Sequence, residues 1–192
     1  MHKKRIKFID ISLSTQLYRR SMKKKVFQLL VDNTSGVLTR ISGLFARRGY
    51  NIESITAGTT TDPNYTRITI VASGDDVILD QIEKQLSKLI DVRDIHELEP
   101  DESVYRELSL IKVRAGEKER ESIMTIANIF RANIIDVTPE SLIIEITGNQ
   151  SKVDALLKML EGKEILELAR TGIAGLTRGV DKVVSIKELE EK

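Results

Sequence analysis

The 192-residue sequence contains no cysteine. That excludes a disulfide framework, a thiolate metal site and a cysteine nucleophile. Only two histidines occur, His2 and His96, too few for a histidine metal cluster and poor material for a Ser-His-Asp relay. Tryptophan is absent, and aromatic residues make up 4% of the chain, which leaves little to stack on bases. No apolar run approaches the roughly 18–20 residues that span a bilayer, and no signal-peptide core is visible. These absences argue against side-chain catalysis. They leave a soluble, cytoplasmic protein with no membrane partner as the expectation.

What is present is enough apolar material, 41% of residues, for a real core in one large or two small domains. The formal net charge of +1 is the sum of two unlike parts. Residues 1–25 carry nine Lys and Arg against the single acid Asp10, a charge of +8, and the remainder carries −7. A basic leader therefore precedes an acidic body. Met22 directly precedes Lys23-Lys24-Lys25, so translation starting there is one expectation, with residues 1–21 an upstream extension. A targeting segment is the alternative. Against it stand the sparse serines and the strand-like alternation of Ile9, Ile11 and Leu13.

The three prolines punctuate the body. Pro63 lies in the turn-forming cluster Thr61-Asp62-Pro63-Asn64 and Pro139 in Thr138-Pro139-Glu140-Ser141. Pro100, in Glu99-Pro100-Asp101-Glu102, reads as a linker between halves 26–99 and 103–170. In the first half a β-rich run over 26–31 leads through Asp32-Asn33-Thr34-Ser35-Gly36. A helix follows with Val37, Leu38, Ile41, Leu44 and Phe45 apolar and Arg40, Arg47 and Arg48 polar. Gly49 suits its C-terminal cap. Strands over 51–57 and 66–72 flank the Pro63 turn. A second helix has Ile78, Ile82, Leu86 and Leu89 inward, and 92–98 closes as a strand. The second half repeats the order: strand 108–113, a stripe of Ile123, Ile126, Ala127 and Phe130, strands 134–137 and 142–146, a helix with Val153, Leu156, Leu157 and Leu160, and strand 165–169. Phe45 to Asn51-Ile52 and Phe130 to Asn133-Ile134 are weakly alike. The fold class is α+β, two ferredoxin-like βαββαβ units in tandem. One layer of helices leaves the other sheet face, or an edge strand, open to a partner chain.

The strand-to-helix loop 32–38 holds the chemistry. Backbone N–H groups and the helix dipole point into it, Gly36 permits close approach, and the Asn33 amide both donates and accepts. A small carboxylate with an apolar tail suits these groups beside Val37, Leu38 and Ile52. The plainer alternative is that residues 33–35 cap the helix and Gly36 makes a turn. Elsewhere, His96 has no partner at ligand spacing. Gly172, Gly175 and Gly179 with Arg170 and Arg178 lack P-loop spacing and read as a flexible C-terminal segment. The arginines of the first helix read as a solvated face or, alternatively, a contact with another subunit.

The block Asn33-Thr34-Ser35-Gly36-Val37-Leu38-Thr39-Arg40-Ile41, continued by Gly43-Leu44-Phe45-Ala46-Arg47-Arg48-Gly49-Tyr50-Asn51-Ile52-Glu53-Ser54-Ile55, resembles the N-terminal ACT domain of acetolactate synthase (acetohydroxyacid synthase) small regulatory subunits. Gln81-Ile82-Glu83-Lys84-Gln85-Leu86, Ile134-Ile135-Asp136-Val137-Thr138-Pro139, Ala169-Arg170-Thr171-Gly172 and Gly175-Leu176-Thr177-Arg178-Gly179 extend the resemblance over about residues 23–179. It implies a basic extension over 1–22, an ACT domain over 23–99, a C-terminal βαββαβ domain of the regulatory subunit over 103–179 and a charged tail over 180–192. It also implies a non-catalytic subunit of branched-chain amino acid biosynthesis with no cofactor of its own. Thiamine diphosphate, FAD and a divalent metal would belong to the catalytic (large) subunit, which this chain would bind and activate. Feedback inhibition by valine or another branched-chain amino acid would act through a homodimer. There Asn33, Gly36, Val37 and Leu38 of one chain would meet Asn51 and Ile52 of the other. The second unit has Arg114-Ala115-Gly116-Glu117 at the equivalent loop, so a second effector site there is not expected.

Two competing readings fare worse. RNA-recognition modules share the βαββαβ order, but the central strand Thr66-Arg67-Ile68-Thr69-Ile70-Val71 has no aromatic residue and the body is acidic. No nucleic-acid partner is therefore expected. A ligand-sensing transcription regulator would need a DNA-binding element, and none precedes the repeat. A stand-alone amino-acid-sensing ACT protein acting on another partner is the remaining alternative.

Overall fold

The computed structural model describes residues 23–180. The extension over 1–22, with the proposed start at Met22, and residues 181–192 of the charged tail lie outside the described residues. The first unit runs β1 (Lys23–Asp32), α1 (Val37–Arg48), β2 (Asn51–Thr59), β3 (Tyr65–Gly74), α2 (Asp76–Leu86) and β4 (Val92–Glu97). The second runs β5 (Ser103–Arg114), α3 (Glu117–Ile129), β6 (Asn133–Val137), β7 (Ser141–Gly148), α4 (Gln150–Met159) and β8 (Ile165–Arg170), followed by β9 (Ala174–Thr177). Each is an antiparallel sheet under two helices, in strand orders β2-β3-β1-β4 and β6-β7-β5-β8. The α+β class and both βαββαβ units are as the sequence pattern predicts.

Alternation along the strands decides what each sheet buries. Phe27, Leu29 and Val31 of β1 and Ile68, Ile70 and Ala72 of β3 face the helices, where Val37, Ile41, Leu44 and Phe45 of α1 meet them. Gly49 ends α1 at φ 66, and the Tyr50 N–H donates to the Phe45 carbonyl at 3.0 Å. This lays the Tyr50 ring edge-on against Phe45, centroids 6.2 Å apart. On α2 the buried residues are Leu79, Ile82 and Leu86, whereas Ile78 only borders the core. The Asp75 cap, accepting from the Ile78 N–H at 2.8 Å, sets that rotation. The second unit repeats the device. Asn149 accepts from the Lys152 N–H at 3.0 Å at the start of α4, and Gly74 and Gly148 each bring a strand end tight against the following helix.

The linker expected at Pro100 is the connection 98–102 between β4 and β5, and it is short, with Leu98 buried and β5 beginning at Ser103. The Tyr105 hydroxyl donates to the Leu98 carbonyl across the turn. One expectation needs correction: the glycine-bearing C-terminal segment is not a flexible end. After β8 the chain turns at Thr171 and Gly172 and pairs again with β5 as β9, from Ser103 opposite Thr177 to Arg106 opposite Ala174. This near half of β5, with β9, lies across the outer face of the first sheet, so Gln28, Leu30, Thr69, Val71 and Ser73 are buried there. Gln28 donates to the Gly175 carbonyl and accepts from Arg67 Nη1 at 2.8 Å. The sheet face expected to await a partner chain is thus covered from within in the first unit. In the second, the outer face with Leu110, Lys112, Ile143 and Glu167 stays open.

Candidate effector site

The β1–α1 loop is held from both sides by charge and backbone pairing. The Asp32 N–H donates to the Asp91 carbonyl at 2.9 Å, and the Asn33 N–H to the Asn64 carbonyl at 2.7 Å. The Asp32 carboxylate accepts from Arg93 Nε and Nη2 at 2.7 and 2.6 Å. That pairing holds the Arg93 guanidinium above its ordinary value. It also neutralises the one carboxylate in the loop, so Asp32 does not repel an anion. Asn33 donates through Nδ2 to the Pro63 carbonyl at 2.8 Å and accepts from Thr66 Oγ1 at 3.1 Å. One amide hydrogen and one lone pair of Asn33 remain for a ligand.

Gly36 takes φ 88 and precedes α1 with no capping side chain. No acidic residue occupies the first turn of α1. The other described helices differ: Asp75 and Asn149 cap α2 and α4, and Glu117 and Glu119 occupy the first turn of α3. Among the described helices only α1 therefore offers its N–H groups and positive dipole end to an outside anion. A cleft of about 280 Å³ opens there, its lining including apolar Val31, Val37, Leu38 and Ile68 and polar Asn33 and Thr66. Leu38 is half exposed.

Asn33, Gly36, Val37 and Leu38 are thus brought together, and Asn51 and Ile52 are not. Thr66 stands beside Asn33, whereas Asn51 pairs with Ser73 and Ile52 with Ala72 at the other end of β3. Seven residues at ~3.4 Å each put roughly 24 Å between the two groups within one chain. β2 is an edge strand whose outward side pairs with no described strand. Residues missed in the sequence also belong here. The carbonyls of Pro63 and Asn64 and the Thr66 hydroxyl hold Asn33, and their only signal was the turn propensity of Asp62-Pro63-Asn64. The arginines expected to form a solvated face are partly committed, since Arg40 pairs with Asp91 at two points and Arg48 donates to Gln85. His96 Nε2 lies 2.6 Å from Asp94 Oδ2.

Among the described residues no group of three or more His, Asp or Glu side chains is placed to hold a metal ion. No described helix is long and apolar enough to cross a membrane.

Sequence profiles for two families match the chain. That of the AHAS small subunit-like ACT domain covers residues 27–94, and that of the small subunit of acetolactate synthase covers 106–179. The probable acetolactate synthase small subunit of Methanothermobacter thermautotrophicus is 50% identical over 155 residues, 80% of this chain and 92% of that protein. The isozyme 3 small subunit of Salmonella typhimurium is 44% identical over 162 residues, covering 84% and 99%. The crystal structure of the acetolactate synthase small subunit from Thermotoga maritima superposes with a TM-score of 0.75 at 43% identity, covering 82% of this chain and 98% of that one. The two profiles together span most of both units, and the relatives align along nearly their whole length: the chain belongs to the acetolactate synthase small subunit family.

Proposed function

We propose that this chain is a non-catalytic regulatory subunit that binds and activates the acetolactate synthase catalytic subunit. It would make that enzyme sensitive to valine or another branched-chain amino acid. The observation that carries the reading is the uncapped, acid-free N-terminus of α1 opening onto a cleft lined by both polar and apolar residues. An α-carboxylate fits the helix end, an α-ammonium fits the free lone pair of Asn33, and a short branched chain fits against Val37 and Leu38.

A homodimer completes the site. A two-fold axis that pairs β2 with its own copy runs the two strands antiparallel, so the start of one lies beside the end of the other. The partner's Asn51 and the partner's Ile52 then come to the Thr59–Thr66 end, next to Asn33. The 24 Å separation within one chain is what such a shared site requires. Thiamine diphosphate, FAD and the divalent metal belong in this reading to the catalytic subunit.

Regulation follows as linkage. An amino acid bound between two first units favours one arrangement of them over another, and a coupling of about 1–3 kcal/mol changes the partner's behaviour about 5–150-fold. The test mixes the chain with the thiamine-diphosphate-dependent catalytic subunit and follows pyruvate condensation with and without valine, leucine and isoleucine. Addition of the chain is expected to raise the rate, and at least one of the amino acids to lower it. A rate indifferent to the chain and to all three would overturn the proposal.

A further inference from the structure

β5 and the broken strand β8–β9 form one long two-stranded ribbon that belongs to both units. Its far half, where Ser109 to Val113 pair with Arg170 to Ile165, lies in the second sheet. Its near half lies over the first sheet and is pinned to the middle of that sheet where Gln28 donates to the Gly175 carbonyl. Between the halves sit Thr171 and Gly172, and these touch the edge strand β2. Thr56 Oγ1 donates to the Thr171 carbonyl at 3.1 Å. Gly172 stands at φ 83, and a Cβ there would come within 2.9 Å of Ser54 Cβ and 3.1 Å of Thr56 Oγ1. Glycine is required twice over, by backbone conformation and by the closeness of β2. Thr171 is fixed in turn to β5, because its N–H donates to the Leu108 carbonyl at 3.0 Å and its hydroxyl accepts from the Leu108 N–H at 3.1 Å.

This contact is narrow. Clefts of about 390 and 430 Å³ open on its two sides, one bordered by Ser54 and Arg170, the other by Thr59 and Ala174. β2 therefore meets the ribbon at a point flanked by open space. Displacement at that point has room to occur, and its direct polar link to the ribbon is the Thr56–Thr171 bond.

We propose that the Thr171–Gly172 break passes movement of the edge strand β2 into the second unit, with Gly172 as the positioning residue. The inference rests on the reading that β2, through Asn51 and Ile52, supplies half of the effector site. A ligand gripping the start of β2 shifts the strand. The Thr171 carbonyl follows Thr56, Gly172 leaves no slack, and the two bonds to Leu108 carry the shift into β5 and its second-sheet partners. Tight contact and hydrogen bonds make the break a stiff point between the two clefts that flank β2.

Hydrogen exchange of the full chain, read by mass spectrometry with calorimetry alongside, tests this with Thr56→Val, which keeps the shape and removes the donor. Without ligand, Thr56→Val is expected to speed exchange of the Thr171 amide and its neighbours about two- to tenfold. With valine, the unsubstituted chain is expected to change its exchange over 103–113 and 165–177. Thr56→Val still binds valine by calorimetry and loses that remote change. Gly172→Ala is expected to behave likewise, with its far-UV circular dichroism retained. Valine binding with no change beyond β2, or a remote change that survives Thr56→Val, overturns the proposal. If the unsubstituted chain binds none of valine, leucine and isoleucine, the effector reading falls on its own. The ligand-free arm then decides the contact, and unaltered exchange in Thr56→Val overturns it.

Discussion

Arg40 grips the Asp91 carboxylate at two points, 2.5 Å from Nε and 2.7 Å from Nη2. The pair ties the first turn of α1 to the turn before β4, and the Asp91 carbonyl holds the end of β1 through the Asp32 N–H. Both ends of the candidate effector loop therefore lean on Asp91. The Arg40 guanidinium holds the Asp91 carboxyl below its ordinary value of 3.8. A carboxylate depressed in the folded state contributes stability that is present above the unfolded value and is lost as the pH falls through the folded one. Asp91→Asn is accordingly expected to destabilise the chain at pH 6 and to do so by less at pH 2, below the ordinary carboxyl value. Urea unfolding at the two pH values measures it. A deficit of equal size at both would show that the charge is not what matters.

Gly36→Asp is expected to abolish valine binding by placing a carboxylate at the helix end that the ligand's own carboxylate would use. The structure adds a complication: at φ 88 any side chain is strained, and a Cβ would meet Arg40 Nη1 at 3.0 Å. Gly36→Ala carries the same strain without the charge, about 1–2 kcal/mol. Calorimetry of both variants separates the causes. Valine affinity unchanged in Gly36→Asp would sink the site assignment, and equal loss in both variants would make strain the cause.

The order of elements was legible because each half alternates period-2 and period-3.6 runs between proline turns, and local chemistry suffices to set those. The same holds for the Asn33–Gly36 loop, a strand-to-helix turn set by consecutive residues. A further repeat signal stood in plain view: Gly74-Asp75 and Gly148-Asn149 each end a strand and cap the next helix. Other features were not local. Ile78 and Leu79 both fit the spacing of α2, and only the cap geometry chooses Leu79. Residues 103–106 and 174–177 are strands because they pair with each other across the first sheet, and glycines at 172 and 175 disguise the second of them. Asn51 and Ile52 lie at the far end of β3 from Asn33, so in the proposed shared site they come from a second chain, which neither spacing nor one protomer reveals.

Arg131 occupies at the end of α3 the place Gly49 holds at the end of α1, and it does so at φ 50. The cap itself is intact, since the Ala132 N–H donates to the Ala127 carbonyl at 2.9 Å. Left-handed backbone costs a side-chain-bearing residue about 1–2 kcal/mol, and the greater unfolded-state freedom of glycine offsets about 0.4–1 of this. Arg131→Gly is expected to stabilise the chain by about 0.5–1 kcal/mol. Chemical denaturation measures the gain, and a loss of stability would mean that Arg131 makes a contact worth more than its strain.

In the shared-site reading, Asn51→Ala is expected to lower valine affinity while leaving the proposed dimer intact. Asn51 is exposed at the start of β2, opposite Ser73, so its side chain is available to a ligand held against a second chain. Truncating one ligand hydrogen bond of a charged partner costs about 1.5–3 kcal/mol, or roughly 10- to 150-fold in affinity. Sedimentation and calorimetry on the same sample separate assembly from binding. A variant that dissociates would place Asn51 in the dimer contact instead.

The shared-site reading also makes assembly and binding inseparable at the edge strand. Ile55 is 40% exposed on the helix-facing side of β2, where Ile70 is its cross-strand neighbour. If β2 pairs with its own copy, Ile55→Lys acts on both protomers at once and sets two like charges near the axis. Each unfavourable cross-strand pairing costs about 0.2–1 kcal/mol. Together with the lost apolar burial, roughly 1.5 kcal/mol per buried side chain, this amounts to tenfold or more in the dimer constant. Valine affinity is expected to fall in parallel at low protein concentration and to recover at high concentration, because the missing half-site returns with the partner. Sedimentation equilibrium and valine titration across a concentration series measure both. Valine affinity that stays constant while the dimer dissociates would place the whole site within one chain and exclude Asn51 from it.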